Sequence, residues 1–181
     1  KVTKVLDDAG MEYEIFADVK PNPTVKNVQD GVRRCREVGA DVIVTVGGGS
    51  AMDTAKGISI IMTNPDREDV VSLNGLSNTQ NKGLPVIALP TTHGTAAEVT
   101  INYVITDEER QIKMVCVDPH DIPVLSIVDS ELMESLLKDH FKEWDGVPSY
   151  ETIKMLLNSK ANTQIDIEQN ESFITHLKSL S

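Results

Sequence analysis

Nowhere in its 181 residues does the sequence hold an apolar run near the roughly 20 residues that cross a bilayer. It also has no basic start followed by an apolar core, so no signal peptide is read and the expected location is cytoplasmic. Basic residues are scarce: 17 Lys and Arg stand against 28 Asp and Glu, a net charge of −11. That balance argues against a sequence-independent grip on nucleic acid, which needs clustered cations. Neither a membrane nor nucleic acid is therefore an expected partner. There are only two cysteines, Cys35 and Cys116, far apart and without the close spacing of a metal site. They read as small buried hydrophobes that stay reduced. What is present is 40% apolar residues in a chain long enough to bury a sizeable core.

The most informative segment is Gly47-Gly48-Gly49-Ser50-Ala51-Met52-Asp53-Thr54-Ala55-Lys56, which follows the apolar stretch Val42 to Val46 and opens a helix-periodic run. Glycines at the carboxyl end of a strand let the backbone turn sharply, and their N–H groups can point at an anion with the positive end of the next helix. Ser50 suits the N-cap and Asp53, three residues on, suits a capping box. Asp53 and Lys56, also three apart, are spaced for a surface ion pair. The spacing is not G-x-G-x-x-G, so the standard dinucleotide fingerprint is missing. On local pattern alone, a phosphate cradle and an ordinary Gly-rich turn both remain open.

Along the chain, Thr3 to Ala9 reads as the end of a helix stopped by Gly10, and Glu12 to Phe16 as a short strand. Val25, Val28, Val32, Cys35 and Val38 recur at helical spacing. The strand Val42 to Val46 and a helix from Ala51 to about Met62 follow. Thr63 to Gly83, rich in Asn, Ser, Asp and Gly, reads mainly as a surface excursion. Pro85 to Leu89 is a buried-type strand, and Val99 to Thr106 with Lys113 to Asp118 flank a polar hairpin. Val124 to Val128 is a further strand leading to a helix near Ser130. This alternation predicts an α/β sheet with ligands at the carboxyl ends of its strands. With no initiator Met and a first helix that no strand precedes, the chain is expected to begin inside a fold, an upstream strand being absent.

Three separated stretches carry a resemblance: Gly47 to Lys56, Pro90-Thr91-Thr92-His93-Gly94-Thr95-Ala96-Ala97-Glu98-Val99-Thr100, and Asp118-Pro119-His120-Asp121-Ile122-Pro123. Together they are similar to the iron-containing alcohol dehydrogenase family, from Lys1 to about Met133. The resemblance implies a Rossmann-like α/β nucleotide-binding domain of the dehydroquinate synthase-like fold over 1–135. It further implies that Gly47, Gly48, Gly49 and Ser50 contact the diphosphate of NAD or NADP, with Thr91 and Thr92 offering hydroxyls and Asp53 and Lys56 both lying near the nucleotide. Asn22, Thr95, Asn102 and Lys113 match positions near the cofactor. Their bland alternatives are a turn residue, a cap, a polar strand residue and a hairpin charge. His93 stands where relatives carry a small residue such as Ala, and nothing in the sequence places an acid or base to orient it. The acidic residue that favours NAD over NADP in the family would lie upstream of Lys1, so cofactor affinity is expected to be weakened.

After Met133 the similarity stops. The family's metal-binding helical domain opens with an Asp and a His four residues apart; the same register here meets Val147 and Glu151, which cannot hold iron together. No metal ligands are therefore expected in this chain. His140 and His176 are the remaining histidines of the tail and stand far apart. Residues 136–181 read as a divergent helical tail, with helices over Tyr150 to Leu157 and Ile167 to Leu180. Three readings follow. The chain is a truncated dinucleotide-binding part of an alcohol dehydrogenase acting by ancestry on short alcohols, diols or aldehydes and inactive alone; or a protein-interaction or assembly module using its tail; or a non-functional gene remnant. A homo-oligomer is left open.

Overall fold

The computed structural model describes residues 1–92 and 94–132. Helix α1 (Val2–Asp8) is capped at its end by a turn through Gly10 at φ +66°. Helix α2 (Val25–Val38) occupies the range its apolar spacing predicts. Thr24 caps it, accepting from the Asn27 N–H at 3.2 Å, and Gly39 ends it in the left-handed region at φ +64°. Strand β1 (Ile43–Gly47) runs into helix α3 (Gly49–Thr63). After two 3-10 turns come β2 (Gly75–Leu76), β3 (Val86–Pro90), β4 (Asn102–Asp107), β5 (Ile112–Val117) and β6 (Leu125–Ser126). A helical turn begins at Ser130, where the Asp129 carboxylate accepts from the Glu131 N–H at 2.9 Å. Among the described residues no helix is long and apolar enough to cross a membrane.

The strands form two sheets rather than the single sheet that the alternation predicts. One is parallel, in the order β1-β3-β6; the other runs β2-β5-β4, with β4 and β5 antiparallel. The hairpin does not extend the parallel sheet because its two strands pair with each other and recruit β2 as their third member. Glu12 to Phe16 forms no strand, correcting the alternation-based expectation: a strand needs a ladder partner, and among the described residues nothing pairs with this segment.

The main core lies between α2, α3 and the β4–β5 hairpin. Val28, Ile60, Val70, Leu73, Ile105, Met114 and Cys116 are all sealed from solvent. Each such side chain contributes about 1.5–3 kcal/mol relative to exposure. Val70 and Leu73 come from the segment expected to be a surface excursion, which folds back through its 3-10 turns to cover the core. Cys35 and Cys116 are buried and unpaired with each other. Burial, with the nearby Asp121 and Asp53 charges adding, pushes the Cys116 thiol up to about 12, so it packs as an inert hydrophobe.

Two substitutions separate capping from packing. Thr24→Ala is expected to lower stability by about 1 kcal/mol through the lost cap. Ile60→Ala, opening a cavity in a sealed core, is expected to cost about 2–5 kcal/mol. Urea unfolding followed by circular dichroism measures both, and equal costs would contradict the assignment of Ile60 to the core.

Candidate functional site

The site grows from the end of β1. Gly47 pairs with Pro90 in the parallel sheet, and its carbonyl accepts from the Thr91 N–H at 2.9 Å, so the turns after β1 and β3 leave the sheet side by side. A Cβ on Gly47 would come 2.7 Å from the Ala51 methyl group, which is why the chain can enter α3 this tightly only with glycine here. The helix then starts earlier than the sequence predicts. Gly48 is the N-cap and makes no side-chain cap bond, while Ser50 already sits in the first turn. The expected Ser50 cap and Asp53 capping box are thus overturned: with the cap at Gly48, the capping-box position falls on Ala51, and Asp53 lies two residues too far along α3 to fill it.

The loop from β3 closes over this turn. A Cβ on Gly48 would meet Thr92 Oγ1 at 3.0 Å, and one on Gly49 would meet Thr95 Cγ2 at 3.1 Å. Glycine therefore lets the two threonines pack directly against the backbone of this turn. From a third direction, Asn22, at φ +55° between two prolines, donates its N–H to Ser50 Oγ at 3.2 Å. Its side-chain Oδ1 accepts from Lys113 Nζ at 2.8 Å, bringing a cation from β5 to the rim. Asn22 is thus both a turn residue and a link to the glycine loop. Thr95 is also a local cap, its Oγ1 accepting from the Ala97 N–H at 3.3 Å. Of the residues singled out from sequence, Gly47, Gly48, Gly49, Ser50, Thr91, Thr92, Thr95, Asn22 and Lys113 converge on this one place. His93 lies outside the described residues, as do Val147, Glu151, His140, His176 and the two tail helices.

Asp53 and Asn102 belong to a neighbouring layer. The expected surface pair of Asp53 with Lys56 is overturned, because Lys56 is fully buried. Its ammonium donates to the carbonyls of Thr100 and, at 3.1 Å, Asn102, and stands 3.6 Å from Asp121 Oδ1, an ion pair longer than a hydrogen bond. Asn102 meets Lys56 through its backbone carbonyl and is otherwise exposed at the start of β4, so the structure does not bring it to the glycine loop. Burial pushes Asp53 up to about 6, against the opposing pull of the Val104 N–H and Lys56. Burial likewise pushes Asp121 up to about 7, with Lys56 opposing and the nearby Asp118 and Asp53 charges adding. Neither Asp121 oxygen has a hydrogen-bond partner. Asp121 and the burial of Lys56 were missed in the sequence. The available signal was the run Ala55-Lys56-Gly57-Ile58-Ser59-Ile60-Ile61, whose only polar side chains are Lys56 and Ser59, too few for a solvated face.

Comparison with known proteins shows the family and the fold. A family model described as iron-containing alcohol dehydrogenase matches residues 1–130. The chain belongs to the iron-containing alcohol dehydrogenase family. It is 52% identical over 136 residues to lactaldehyde reductase of Escherichia coli K12, an alignment covering 75% of this chain and 36% of that protein. It is 42% identical over 133 residues to 1,3-propanediol dehydrogenase of Klebsiella pneumoniae, covering 74% and 34%. The structure of an alcohol dehydrogenase from Oenococcus oeni superposes with a TM-score of 0.71 at 40% identity, covering 76% of this chain and 36% of that one. A sulfoacetaldehyde reductase from Bifidobacterium kashiwanohense, in complex with NAD+, superposes with a TM-score of 0.67 at 34% identity, covering 75% and 36%. The chain therefore has the Rossmann-like α/β fold of the iron-containing alcohol dehydrogenases and spans about a third of the length of the relatives it matches. Among the described residues of this family member, no three His, Cys, Asp or Glu side chains come together as a metal site.

The two raised carboxyls make a pH prediction with a definite sign. Between the unfolded value near 4 and the folded values of about 6 and about 7, the folded chain holds protons that the unfolded chain has released. Their contribution makes stability fall as pH rises through that window. Carboxyl-selective carbon NMR is expected to give midpoints near 6 for Asp53 and near 7 for Asp121, and Asp121→Asn is expected to flatten the pH dependence of unfolding. An ordinary carboxylate midpoint for both would refute it.

Proposed function

We propose that this chain binds NAD or NADP through the glycine loop between β1 and α3, as the cofactor-holding part of an alcohol dehydrogenase acting on short alcohols, diols or aldehydes. The observation that carries this reading is the close approach of the threonine loop to Gly48 and Gly49 at the start of α3, where any Cβ would press on Thr92 or Thr95. The residues fit a diphosphate: α3 begins without a side-chain cap to occupy its first amides. Ser50, Thr91, Thr92 and Thr95 add neutral hydroxyls, and Lys113 with Asn22 supplies one cation at the rim. Such donors hold an anion without a cluster of basic residues, which suits a chain of net charge −11. A relative of the same fold is seen with NAD+.

The nicotinamide, when bound, supplies the hydride acceptor or donor. The chain's own residues then bind and orient: the first turn of α3 receives the diphosphate, and the threonines of the β3 loop limit where the rest of the dinucleotide lies. No polarising metal enters this reading. The described residues offer no donor set, and positions 147 and 151, outside them, carry Val and Glu. Residues 1–135 are read as the nucleotide-binding unit and 136–181 as a divergent stretch standing in place of the metal-binding helical domain.

Titration of NAD and NADH into the 181-residue chain, with and without ferrous iron and followed by a propanediol oxidation assay, tests this directly. Saturable binding without iron-dependent turnover is expected. Gly49→Val, which forces a side chain against Thr95, is expected to weaken NADH by about tenfold or more, the equivalent of about 1.4 kcal/mol. No heat of binding at millimolar cofactor would overturn the reading, and turnover requiring iron would overturn its metal-free part.

A further inference from the structure

We propose that Asp53 makes binding at the glycine loop proton-linked: a dinucleotide whose diphosphate settles on the first turn of α3 is bound together with one proton, taken from solvent by the Asp53 carboxylate. The inference rests on the dinucleotide reading of the glycine loop and assigns a control on that same site.

Helix geometry places the group. α3 begins at Gly49, so Asp53 stands four residues after Gly49 and three after Ser50, on the same face and one turn further along. Its Cα–Cβ bond tilts back toward the helix start, as at every helical position. Burial follows the same order. Gly49, Ser50 and Ala51 are partly exposed, Asp53 is half-buried, and from Thr54 to Ile61 every residue is buried. Asp53 is therefore the one acid on α3, at the boundary between the open turn and the dry interior.

The charges around this boundary decide how Asp53 responds to an anion. From the 3-10 turn Pro119–Asp121 comes Asp121, with Asp118 just before it; β5 supplies Cys116, the loop after β3 supplies Glu98, and α3 itself supplies Lys56. Lys113 is at the rim, held by Asn22. The Lys56 ammonium is already engaged: it donates to the carbonyls of Thr100 and Asn102 and stands 3.6 Å from Asp121. Acids thus outnumber the ammonium of this group. Burial holds the proton on Asp53 up to about 6, against the opposing pull of the Val104 N–H and Lys56. A diphosphate on the uncapped first amides of α3 adds negative charge about one helix turn away. At that range, and in surroundings of intermediate polarity, it raises a carboxyl by about one pH unit.

The sign follows from linkage. Between the free midpoint of about 6 and the bound one, the complex keeps a proton that the free chain has released. Affinity is therefore highest below this window, falls as pH rises through it, and levels off above it after about a tenfold loss. The diphosphate of NAD is fully ionised throughout, so the proton belongs to the protein.

The test is calorimetric titration of NAD into the full chain at pH values from about 5 to about 8. Binding is expected to weaken about tenfold across that range, with proton uptake near the middle of it, read as a difference in heat between two buffers of unequal ionisation enthalpy. D53N, whose amide is neutral at every pH, is expected to lose the slope. H93A, changed at the residue next to Thr92 in sequence, is expected to keep it. In the wild-type chain, saturating NAD is expected to move the carbon NMR midpoint of Asp53 upward by about one pH unit, a readout that serves if D53N fails to fold. No slope in the wild type, a slope unchanged in D53N, a slope lost in H93A, or an Asp53 midpoint that NAD leaves in place would overturn the linkage. Failure of the wild-type chain to bind NAD at any pH would instead overturn the dinucleotide reading and this inference with it.

Discussion

Helix α3 has no face for water, and most of the structure follows from that constraint. From Thr54 to Ile61 every residue is buried, charged and hydroxylated ones included. A helix buried all round must be enclosed on all sides, and α3 touches the parallel sheet through β1 and β3, the hairpin sheet through β4, and α2 across its remaining flank. Gly57 on α3 meets Val28 at the crossing, where a Cβ would stand 3.2 Å from a valine methyl group. The two sheets do not pair with each other; they are held in one domain by what they share, which is this helix.

Burial of the helix also dictates its electrostatics. A lysine in that position must have its ammonium satisfied inside the protein, and the edge of β4 needs donors at the same place. The two needs meet. Asp53 and Asp121 are drawn into the same layer, and burial raises both above the ordinary carboxylate range. The helix start, by contrast, is the less buried part of α3, with Gly48 as an N-cap that has no side chain to bond its first amides. One element therefore couples a rigid, dry interior to an open turn at its tip, which is the arrangement a ligand loop requires if it is to be presented in a single geometry.

How far the sequence foretold this can be judged from particular segments. Helix α2 has five apolar residues at helical spacing and a glycine just past its end, and its limits are those the pattern predicts. The strands β1 and β3 and the hairpin were legible because buried apolar runs bounded by Gly, Pro or polar turns have few alternatives. Glu12 to Phe16 has the same alternation and no ladder partner, so local pattern misled. The start of α3 misled for a related reason: Ser50 is a good capping residue by type, yet the tight exit from β1 lets the helix begin at Gly48.

The grouping of the glycine loop with the threonine loop was legible from residue order and from family resemblance, since both follow parallel strands and such loops gather at one end of a sheet. Residue types and their periodicity settled the α/β class and the placing of the main helices, because each depends on neighbours within a few positions. The depth of Lys56, its partnership with Asp121 across the domain and the division into two sheets came only with the tertiary structure. Those depend on which backbone groups are left unpaired after the strands have chosen their partners, and that choice is made between residues distant in the chain.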